Sequence, residues 1–189
     1  MTIGFNHLGR HGRLGNQMFQ YAGLRGIAAH RGFDFMIPDS DFKDEWTDHQ
    51  LFEAFKLKGL TNIGMCPGTY VGEAHFHYDA NLFNNMPDNH NVYAYLQSTK
   101  YFEHIEDDIR EDFEFKNEIR VPCEDMISTV SDPIALHVRR GDYIQNCDNH
   151  PPCPKEYYDA ALSKFDAKRN VIIFSDDPEW CSTEFPDDR

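Results

Sequence analysis

Several features are missing from the sequence, and each absence narrows the class of protein. No run of about 18 or more apolar residues occurs, so we predict no membrane-spanning helix. The first residues, Met1 to Phe5, lack the basic segment followed by an apolar one that marks a secretory signal peptide. We therefore expect a cytoplasmic protein.

Cysteine and basic residues are also scarce. The five cysteines are odd in number and scattered, unlike a secreted disulfide framework, so reduced thiols are expected. With 18 basic against 32 acidic residues, the net charge is -14, which repels nucleic acid and anionic membranes. Neither is an expected partner.

The chain does have enough apolar side chain to fill a core, since 40% of its 189 residues are hydrophobic and 14% aromatic. Short apolar runs alternate with helical periodicity, which predicts parallel βαβ units and an α/β fold. At this length the chain is expected to form one large domain, or one domain and part of a second.

The most informative stretch runs from Ala135 to Asp142, where an apolar run ends on functional residue types. As a strand, it places alternate residues on one buried face: Ile134, Leu136 and Val138. His137 and Arg139 then project together from the other face. A guanidinium at the carboxyl end of a buried strand suits a phosphate or carboxylate, which it binds through two parallel hydrogen bonds.

The two residues after Arg139 are expected to support this site. Arg140 falls on the opposite face, where Asp142 could pair with it, and Gly141 lets the backbone turn out of the sheet. A structural ion pair without a ligand is the alternative interpretation.

A second anion site is predicted near the N-terminus. A strand from Thr2 to Asn6 is followed by a segment with three glycines, then by a helix from Asn16 to about Arg31. Asn16 stands where an N-cap belongs, and the helix N-terminus could bring Arg13 and Asn16 to a diphosphate. The Lys-Ser or Lys-Thr of an ATP-binding P-loop is missing. Phe33 to Ile37 is the next predicted strand.

Two short segments raise the question of a metal. Asp39-Ser40-Asp41 looks like the Asp-x-Asp that holds a metal in many glycosyltransferases, with a solvated turn as the alternative. Cys147, His150 and Cys153 have a spacing that suggests zinc, against which stand a local disulfide and a plain polar loop from Tyr143 to Pro154.

The remaining segments complete the predicted order of elements. Helices are expected over Trp46 to Leu57 and Tyr101 to Phe113, and a strand over Asn91 to Gln97. Glu73 to Asp79 concentrates titratable and aromatic side chains, which suits a sugar-binding surface or general base as well as an ordinary strand. The boundary between domains is placed between Val121-Pro122 and Ser131-Asp132-Pro133.

The last part of the chain adds a second polar cluster. A helix opened by Pro154 precedes a strand from Val171 to Phe174, which runs into Ser175, Asp176 and Asp177. In a parallel βαβ unit this cluster emerges at the same sheet edge as Arg139, where open α/β sheets bind ligands.

Four separated stretches carry recognisable motifs: Gly12 to Tyr21, Phe76 to Asp79, Tyr95 to Phe102 and His137 to Tyr143. Together they resemble the α-1,2-fucosyltransferases of glycosyltransferase family eleven, within a wider fucosyltransferase superfamily. The resemblance implies a GT-B-like α/β architecture of two Rossmann-like domains facing a cleft. An N-terminal domain of residues 1–130 would lie on the acceptor side. An incomplete second domain, residues 131–189, would bind GDP-fucose.

The resemblance also implies roles for individual residues. Arg139 matches the arginine that grips the donor diphosphate, His137 and Asp177 match positions that contact guanosine, and Asn16 matches an asparagine near the phosphates. Catalytic roles are expected for Arg139, Asn16 and Asp142, and donor binding by His137, Arg139, Arg13, Ser175 and Asp177. The expected reaction is inverting transfer of L-fucose from GDP-fucose to a galactoside hydroxyl without a metal. Glu73, His77 and Asp142 are the candidate general bases.

One departure from the family pattern qualifies these expectations. Members continue into a further segment with a Ser- and Trp-rich motif, and nothing like it follows Asp187 to Arg189. The stretch from Asp132 onward is shorter than the roughly 100 residues that a domain with its own core usually needs. The alternative is therefore a catalytically silent nucleotide-sugar-binding remnant, with weak GDP binding, a tendency to oligomerise, or need of a missing C-terminal segment or partner.

A rival of another class is an adhesion module, because Arg140-Gly141-Asp142 spells the tripeptide that adhesion receptors read. Those receptors need it on an exposed loop tip, whereas here it follows directly on a predicted buried strand.

Overall fold

The computed structural model describes residues 1–42 and 48–186. Trp46, at the start of one predicted helix, and Asp187 to Arg189 lie outside the described residues. The chain divides into two units, Met1–Arg120 and Val121–Arg189, here named the N-terminal and C-terminal units.

The N-terminal unit is built on a parallel four-stranded sheet. Its strands are β1 (Thr2–Gly4), β2 (Asp34–Met36), β3 (Tyr70–Gly72) and β4 (Asn91–Tyr93), in the spatial order β2-β1-β4-β3. Its helices are α1 (Leu14–Arg31), α2 (Gln50–Ala54), α3 (Ala80–Asn85) and α4 (Glu106–Asp112). Because every pairing is parallel, the segments that follow β1, β3 and β4 leave the sheet at one edge.

Helix α1 is the main helix of this unit, and it begins two residues earlier than predicted. The amide of Leu14 donates to the side chain of Gln50 at 2.6 Å, so a residue distant in sequence caps the helix. Asn16 is therefore not the N-cap, and its Oδ1 instead accepts a hydrogen bond from Gln97 at 2.6 Å. The helix ends at Gly32, whose left-handed backbone (φ 65°) supplies the C-cap.

A buried carboxylate ties α1 to the rest of the N-terminal unit. Asp112 is fully buried and accepts hydrogen bonds from the hydroxyl of Tyr21 at 2.7 Å, the amide of Gly59 at 2.5 Å and the guanidinium of Arg25. Since burial opposes ionisation of the phenol and Asp112 adds to the effect, the pKa of Tyr21 is raised above its usual range.

Two predicted helices are shorter than their sequence patterns suggested. In its described part, from Asp48 onward, the first is helical at Gln50–Ala54 and ends before Leu57, because Phe55 is extended and forms a bridge with Phe115. The second begins at Glu106 and not at Tyr101, because 3₁₀ turns at Thr99–Tyr101 and Glu103–Ile105 precede α4.

The C-terminal unit contains the predicted parallel βαβ arrangement. Strands β5 (Ile134–Val138) and β6 (Val171–Ser175) pair in parallel, with Ile134 opposite Val171. Its helices are α5 (Asn117–Ser128, which begins in the N-terminal unit), α6 (Gly141–Gln145), α7 (Lys155–Leu162) and α8 (Pro178–Glu184). The core is formed by one face of β5 and residues from α7 and α8: Ile134, Leu136, Val138, Tyr158, Leu162 and Cys181.

Two expectations about loops are corrected. Val121-Pro122 does not mark the end of a helix, because α5 continues through Pro122. Pro122 removes one amide hydrogen bond from this helix but is tolerated. The predicted polar loop after the central strand is helical at its start, since α6 includes Tyr143 to Gln145.

None of the helices in the described residues is long and apolar enough to cross a membrane.

Candidate functional site

The guanidinium of Arg139 lies just beyond the carboxyl end of β5. Its Nε and Nη2 donate to the two carboxylate oxygens of Asp142, at 3.1 and 2.8 Å. The guanidinium carbon also lies 4.7 Å from the ring centre of Tyr143. Hydrogen bonding to Asp142 raises the pKa of Arg139, which keeps it cationic. With 41% of its side chain exposed, Arg139 is open to an anion from solvent.

Arg140 has a different partner from the one predicted. Its Nε donates to Asp177 at 3.0 Å, and its guanidinium carbon lies 4.0 Å from the ring centre of Trp180. The predicted Arg140–Asp142 pair is therefore wrong. The reason is that β5 ends at Val138, so strand alternation no longer controls where the two arginines point. Arg140, with 19% of its side chain exposed, braces β5 against α8.

A close approach to Asp176, and not a positive φ, favours glycine at position 141. A Cβ there would lie 3.0 Å from a carboxylate oxygen of Asp176. The same carboxylate accepts a hydrogen bond from the amide of Arg140 at 2.8 Å, which holds the pKa of Asp176 below its usual range. Asp176 thus fixes the start of α6 and, with it, the position of Asp142.

The predicted donor-binding residues of this unit lie at the ends of β5 and β6. His137 is exposed, while Val138 beside it is fully buried, which confirms the predicted alternation. Ser175 pairs with Val138 in the sheet, and its hydroxyl accepts from the amide of Asp177 at 2.9 Å. Asp177 also caps α8 through the amide of Trp180, at 3.2 Å. One carboxylate oxygen of Asp177 faces Arg140 and the other faces this helix, so its observed contacts are structural.

Arg13 and Asn16 lie together at the start of α1. Arg13 is the exposed N-cap residue, and its side chain makes no capping hydrogen bond. The side-chain amide of Asn16 packs closely against Gly12, which has a positive φ of 86°. A Cβ at Gly12 would clash with this amide. Arg13 is thus open to solvent, whereas Asn16 is engaged by Gln97.

The described residues give no support to the suggested metal sites or to the adhesion module. Among residues 1–42 and 48–186, no three His, Cys, Asp or Glu side chains are grouped as a metal site would require. Asp39 accepts from the amide of Asp41 at 3.0 Å, as in an ordinary solvated turn, and Cys147 and Cys153 are exposed free thiols. The tripeptide from Arg140 to Asp142 enters α6 instead of forming a loop tip.

A cleft at the carboxyl edge of the N-terminal sheet was missed by sequence reasoning. It has a volume of about 350 Å³ and lies where the segments after β1, β3 and β4 meet. Its lining includes His11, Glu73, Phe76, Tyr93 and Tyr95. The signal was available, because polar or aromatic residues follow each of these strands, but the strand order was needed to bring them together.

The ring arrangement in the cleft is well defined. His11 meets Tyr93 edge to face at 5.0 Å between ring centres, and Phe76 lies 5.8 Å from Tyr95. Glu73 accepts a hydrogen bond from the amide of Tyr95 at 2.9 Å through one carboxylate oxygen. The side chain of Glu73, after β3, is therefore held by the backbone of the segment after β4.

The loop after β3 is anchored by Asp79, the last residue of the Phe76 to Asp79 motif. Its carboxylate accepts from the amides of Ala74, Asn81 and Leu82 at 2.9 to 3.0 Å, which caps α3 and closes the loop. The amide of Asp79 in turn donates to the hydroxyl of Tyr101, at 2.7 Å. Burial raises the pKa of Tyr101 to about 12, so this phenol stays protonated at neutral pH.

The three candidate general bases lie in different surroundings. Glu73 is partly buried and lines the cleft, His77 is exposed in the same loop, and Asp142 is bound to Arg139. Both carboxylate oxygens of Asp142 accept from Arg139, which leaves Asp142 less available to an acceptor hydroxyl.

The sequence is similar to those of known glycosyltransferases. The sequence profile of glycosyl transferase family 11 matches residues 72–189. An α-1,2-colitosyltransferase of Escherichia coli is 25% identical, over 90% of this chain and 68% of its own length. Galactoside α-(1,2)-fucosyltransferase 2 of Sus scrofa is also 25% identical, over 90% of this chain but only 53% of its own length.

Solved structures confirm the predicted GT-B-like α/β fold. Fucosyltransferase NodZ from Bradyrhizobium superposes with a TM-score of 0.59 at 16% identity, covering 98% of this chain and 77% of that one. A NodZ α-1,6-fucosyltransferase crystal soaked with GDP-fucose gives a TM-score of 0.57 at 15% identity, covering 98% and 75% of the two chains.

Proposed function

Since the chain belongs to glycosyl transferase family 11, we propose that it transfers L-fucose from GDP-fucose to a hydroxyl of a galactoside, forming an α-1,2 linkage with inversion. The observation that carries the proposal is the pairing of Arg139 with Asp142. A guanidinium that already binds two carboxylate oxygens side by side presents the geometry that two oxygens of a diphosphate need.

The linkage and the donor are supported by the relatives. The Escherichia coli and Sus scrofa relatives carry α-1,2 transfer in their names, at 25% identity, whereas the α-1,6 enzyme matches at 15%. The α-1,2 linkage is therefore favoured over the α-1,6 linkage. Because one relative is named for colitose, a colitosyl donor belongs in the assay beside GDP-fucose.

In the proposed reaction, Arg139 stabilises the negative charge that develops on the departing GDP, and this charge stabilisation requires no metal. Inversion needs a base that takes the proton from the acceptor hydroxyl as the new bond forms. We favour Glu73, whose side chain lines a cleft and whose second carboxylate oxygen has no hydrogen-bond partner among the described residues. His137, Arg13, Ser175 and Asp177 remain proposed donor contacts.

The test combines transfer to lactose with determination of the linkage by NMR, in buffer that contains EDTA. Arg139→Ala is expected to lower GDP affinity and transfer by at least about tenfold, since a charge-assisted pair to phosphate is lost. Arg110→Ala is the matched control, because Arg110 is an exposed arginine paired with Glu106 on α4. Unchanged binding and transfer in Arg139→Ala would overturn the proposal.

A second candidate function is nucleotide-sugar binding without transfer. It is favoured by the fact that Nε and Nη2 of Arg139 are already engaged within the chain, so a diphosphate that uses the same two nitrogens has to displace Asp142. Calorimetric titration with GDP beside the transfer assay separates the two: binding with no transfer to any galactoside supports this second candidate.

A further inference from the structure

The cleft that His11, Glu73, Tyr93 and Tyr95 line has the composition of a site for one neutral sugar ring. We propose that this cleft is the subsite for the acceptor galactoside. The inference extends the proposed function and rests on that function only for the identity of the sugar. Its volume of about 350 Å³ lies at the small end of the range of about 300–1,000 Å³ that ligand sites occupy.

Aromatic surface is the first argument. Tyr93 is 48% exposed and Phe76 is 73% exposed, and both line the cleft, so their rings present accessible apolar surface there. The apolar C–H face of a galactose ring packs against such aromatic faces, while the tyrosine hydroxyls remain able to bond to sugar hydroxyls. The rings are held by neighbours, since His11 meets Tyr93 edge to face.

Unused hydrogen-bonding capacity is the second argument. The Nε2 of His11 is buried and has no hydrogen-bond partner within the described part of the chain. Buried polar atoms are nearly always paired, so this unpaired atom, on a residue that lines the cleft, supports a partner from outside the described residues. Glu73 uses one carboxylate oxygen on the amide of Tyr95, which leaves the other for a sugar hydroxyl.

The charges in the cleft favour a neutral ligand over an anionic one. The described residues that line the cleft include a carboxylate and two histidines but neither lysine nor arginine. A phosphate or nucleoside diphosphate would find no cation there and would be repelled by Glu73. A neutral polyol meets acceptors, an imidazole and aromatic faces, so a sugar fits where a nucleotide does not.

The segment that carries Tyr93 and Tyr95 is anchored in the core by the next residue, Leu96. Leu96, which follows Tyr95, has a positive φ of 53° and is fully buried. A Cβ on Gly23 of α1 would lie 2.7 Å from its side chain, so only glycine admits Leu96 at this depth. A non-glycine residue with this backbone costs free energy that packing has to offset, and such strain is concentrated at ligand sites.

The experiment measures sugar binding directly, by saturation-transfer NMR titration of methyl β-D-galactopyranoside against the full chain without any donor. Tyr93→Ala is expected to weaken binding by about tenfold, because the stacking face is removed. Tyr93→Phe keeps the ring and should retain most of the affinity. Tyr157→Ala is the matched control, since Tyr157 is 57% exposed on α7 of the C-terminal unit and does not line the cleft.

Circular dichroism and thermal unfolding establish that each variant is folded. If Tyr93→Ala does not fold, Glu73→Gln serves instead, because its amide oxygen still accepts from Tyr95 while the charge is lost, and it should weaken galactoside binding several-fold. Equal affinity in the wild type, Tyr93→Ala and Glu73→Gln, or binding of guanosine in preference to galactoside, would overturn the inference.

The two proposals fail in different ways. Galactoside binding that depends on Tyr93, with no transfer from GDP-fucose, would reject the proposed function and leave the sugar subsite standing. Transfer whose KM for the galactoside is unaffected by Tyr93→Ala would do the reverse.

Discussion

Both carboxylate oxygens of Asp142 accept hydrogen bonds from the guanidinium of Arg139, at 3.1 and 2.8 Å. A diphosphate that binds Arg139 in the same way has to take the place of this carboxylate. Asp142 is thus a competitor of the donor in the resting protein as well as a candidate for catalysis.

We predict that Asp142→Asn binds GDP about two- to fivefold more tightly than the wild type, because an exposed ion pair is worth about 0.2–1 kcal/mol and no longer has to be broken. Calorimetric titration with GDP measures the change. Asp159→Asn, which removes the exposed partner of Lys155 on α7, is the control and should leave GDP affinity as it is. Weaker GDP binding by Asp142→Asn would instead mean that Asp142 orients Arg139 for the ligand.

The neighbouring arginines should separate function from stability. Arg140→Ala removes a partly buried pair with Asp177 and the stacking on Trp180, so we expect the free energy of unfolding to fall by about 1–3 kcal/mol. Arg139→Ala, whose partner is exposed, should change it by less than about 1 kcal/mol. Urea unfolding of both variants tests this contrast, and equal losses would show that the two arginines do not differ in role.

The stability of the N-terminal unit should depend on pH through Asp79. Hydrogen bonds from the amide of Ala74 and then Leu82 hold the pKa of this carboxyl below its usual range. A carboxyl whose pKa is lower in the folded state contributes stability above its unfolded pKa of about 4, and that contribution is lost as pH falls through the folded pKa.

We therefore predict that Asp79→Ala lowers the free energy of unfolding by about 1–2 kcal/mol at pH 7, and that the gap to the wild type narrows as pH falls below about 4. Urea unfolding between pH 7 and pH 3 measures the gap. Asp88→Ala is the comparison variant, because Asp88 accepts one exposed hydrogen bond, from the amide of Thr2. A gap for Asp79→Ala that stays constant over this range would contradict the assignment.

Features that depend only on residue spacing within one strand could be predicted from the sequence. The alternation that buries Ile134, Leu136 and Val138 was correct, because in a strand covered on one face side-chain direction follows from spacing alone. The same rule failed for Arg140, which pairs with Asp177 and not with Asp142, since the rule holds only within a strand and β5 ends at Val138. No spacing rule identifies the partner of a side chain in the turn that follows.

Long-range partners account for the other failures. Asn16 has the right residue type for an N-cap, but Gln50, which is 36 residues from Leu14, caps the amide of Leu14 instead. The cleft around Tyr93 depends on β4 lying between β1 and β3, which no local pattern encodes. Both features require the tertiary arrangement, whereas the arginine motif could be recognised from residue types in sequence.

The last prediction concerns the two acids that share Arg25. Asp112 is fully buried and also receives hydrogen bonds from Tyr21 and Gly59, whereas Asp108 contacts the same guanidinium at 3.4 Å with 57% of its side chain exposed. Asp112→Ala leaves Arg25 without its buried countercharge and the hydroxyl of Tyr21 without an acceptor, so we expect a loss of about 3–5 kcal/mol in the free energy of unfolding. Asp108→Ala should cost less than about 1 kcal/mol. Chemical unfolding of the two variants provides the comparison, and a loss for Asp112→Ala no larger than that for Asp108→Ala would show that the buried network does not hold α1 against α4.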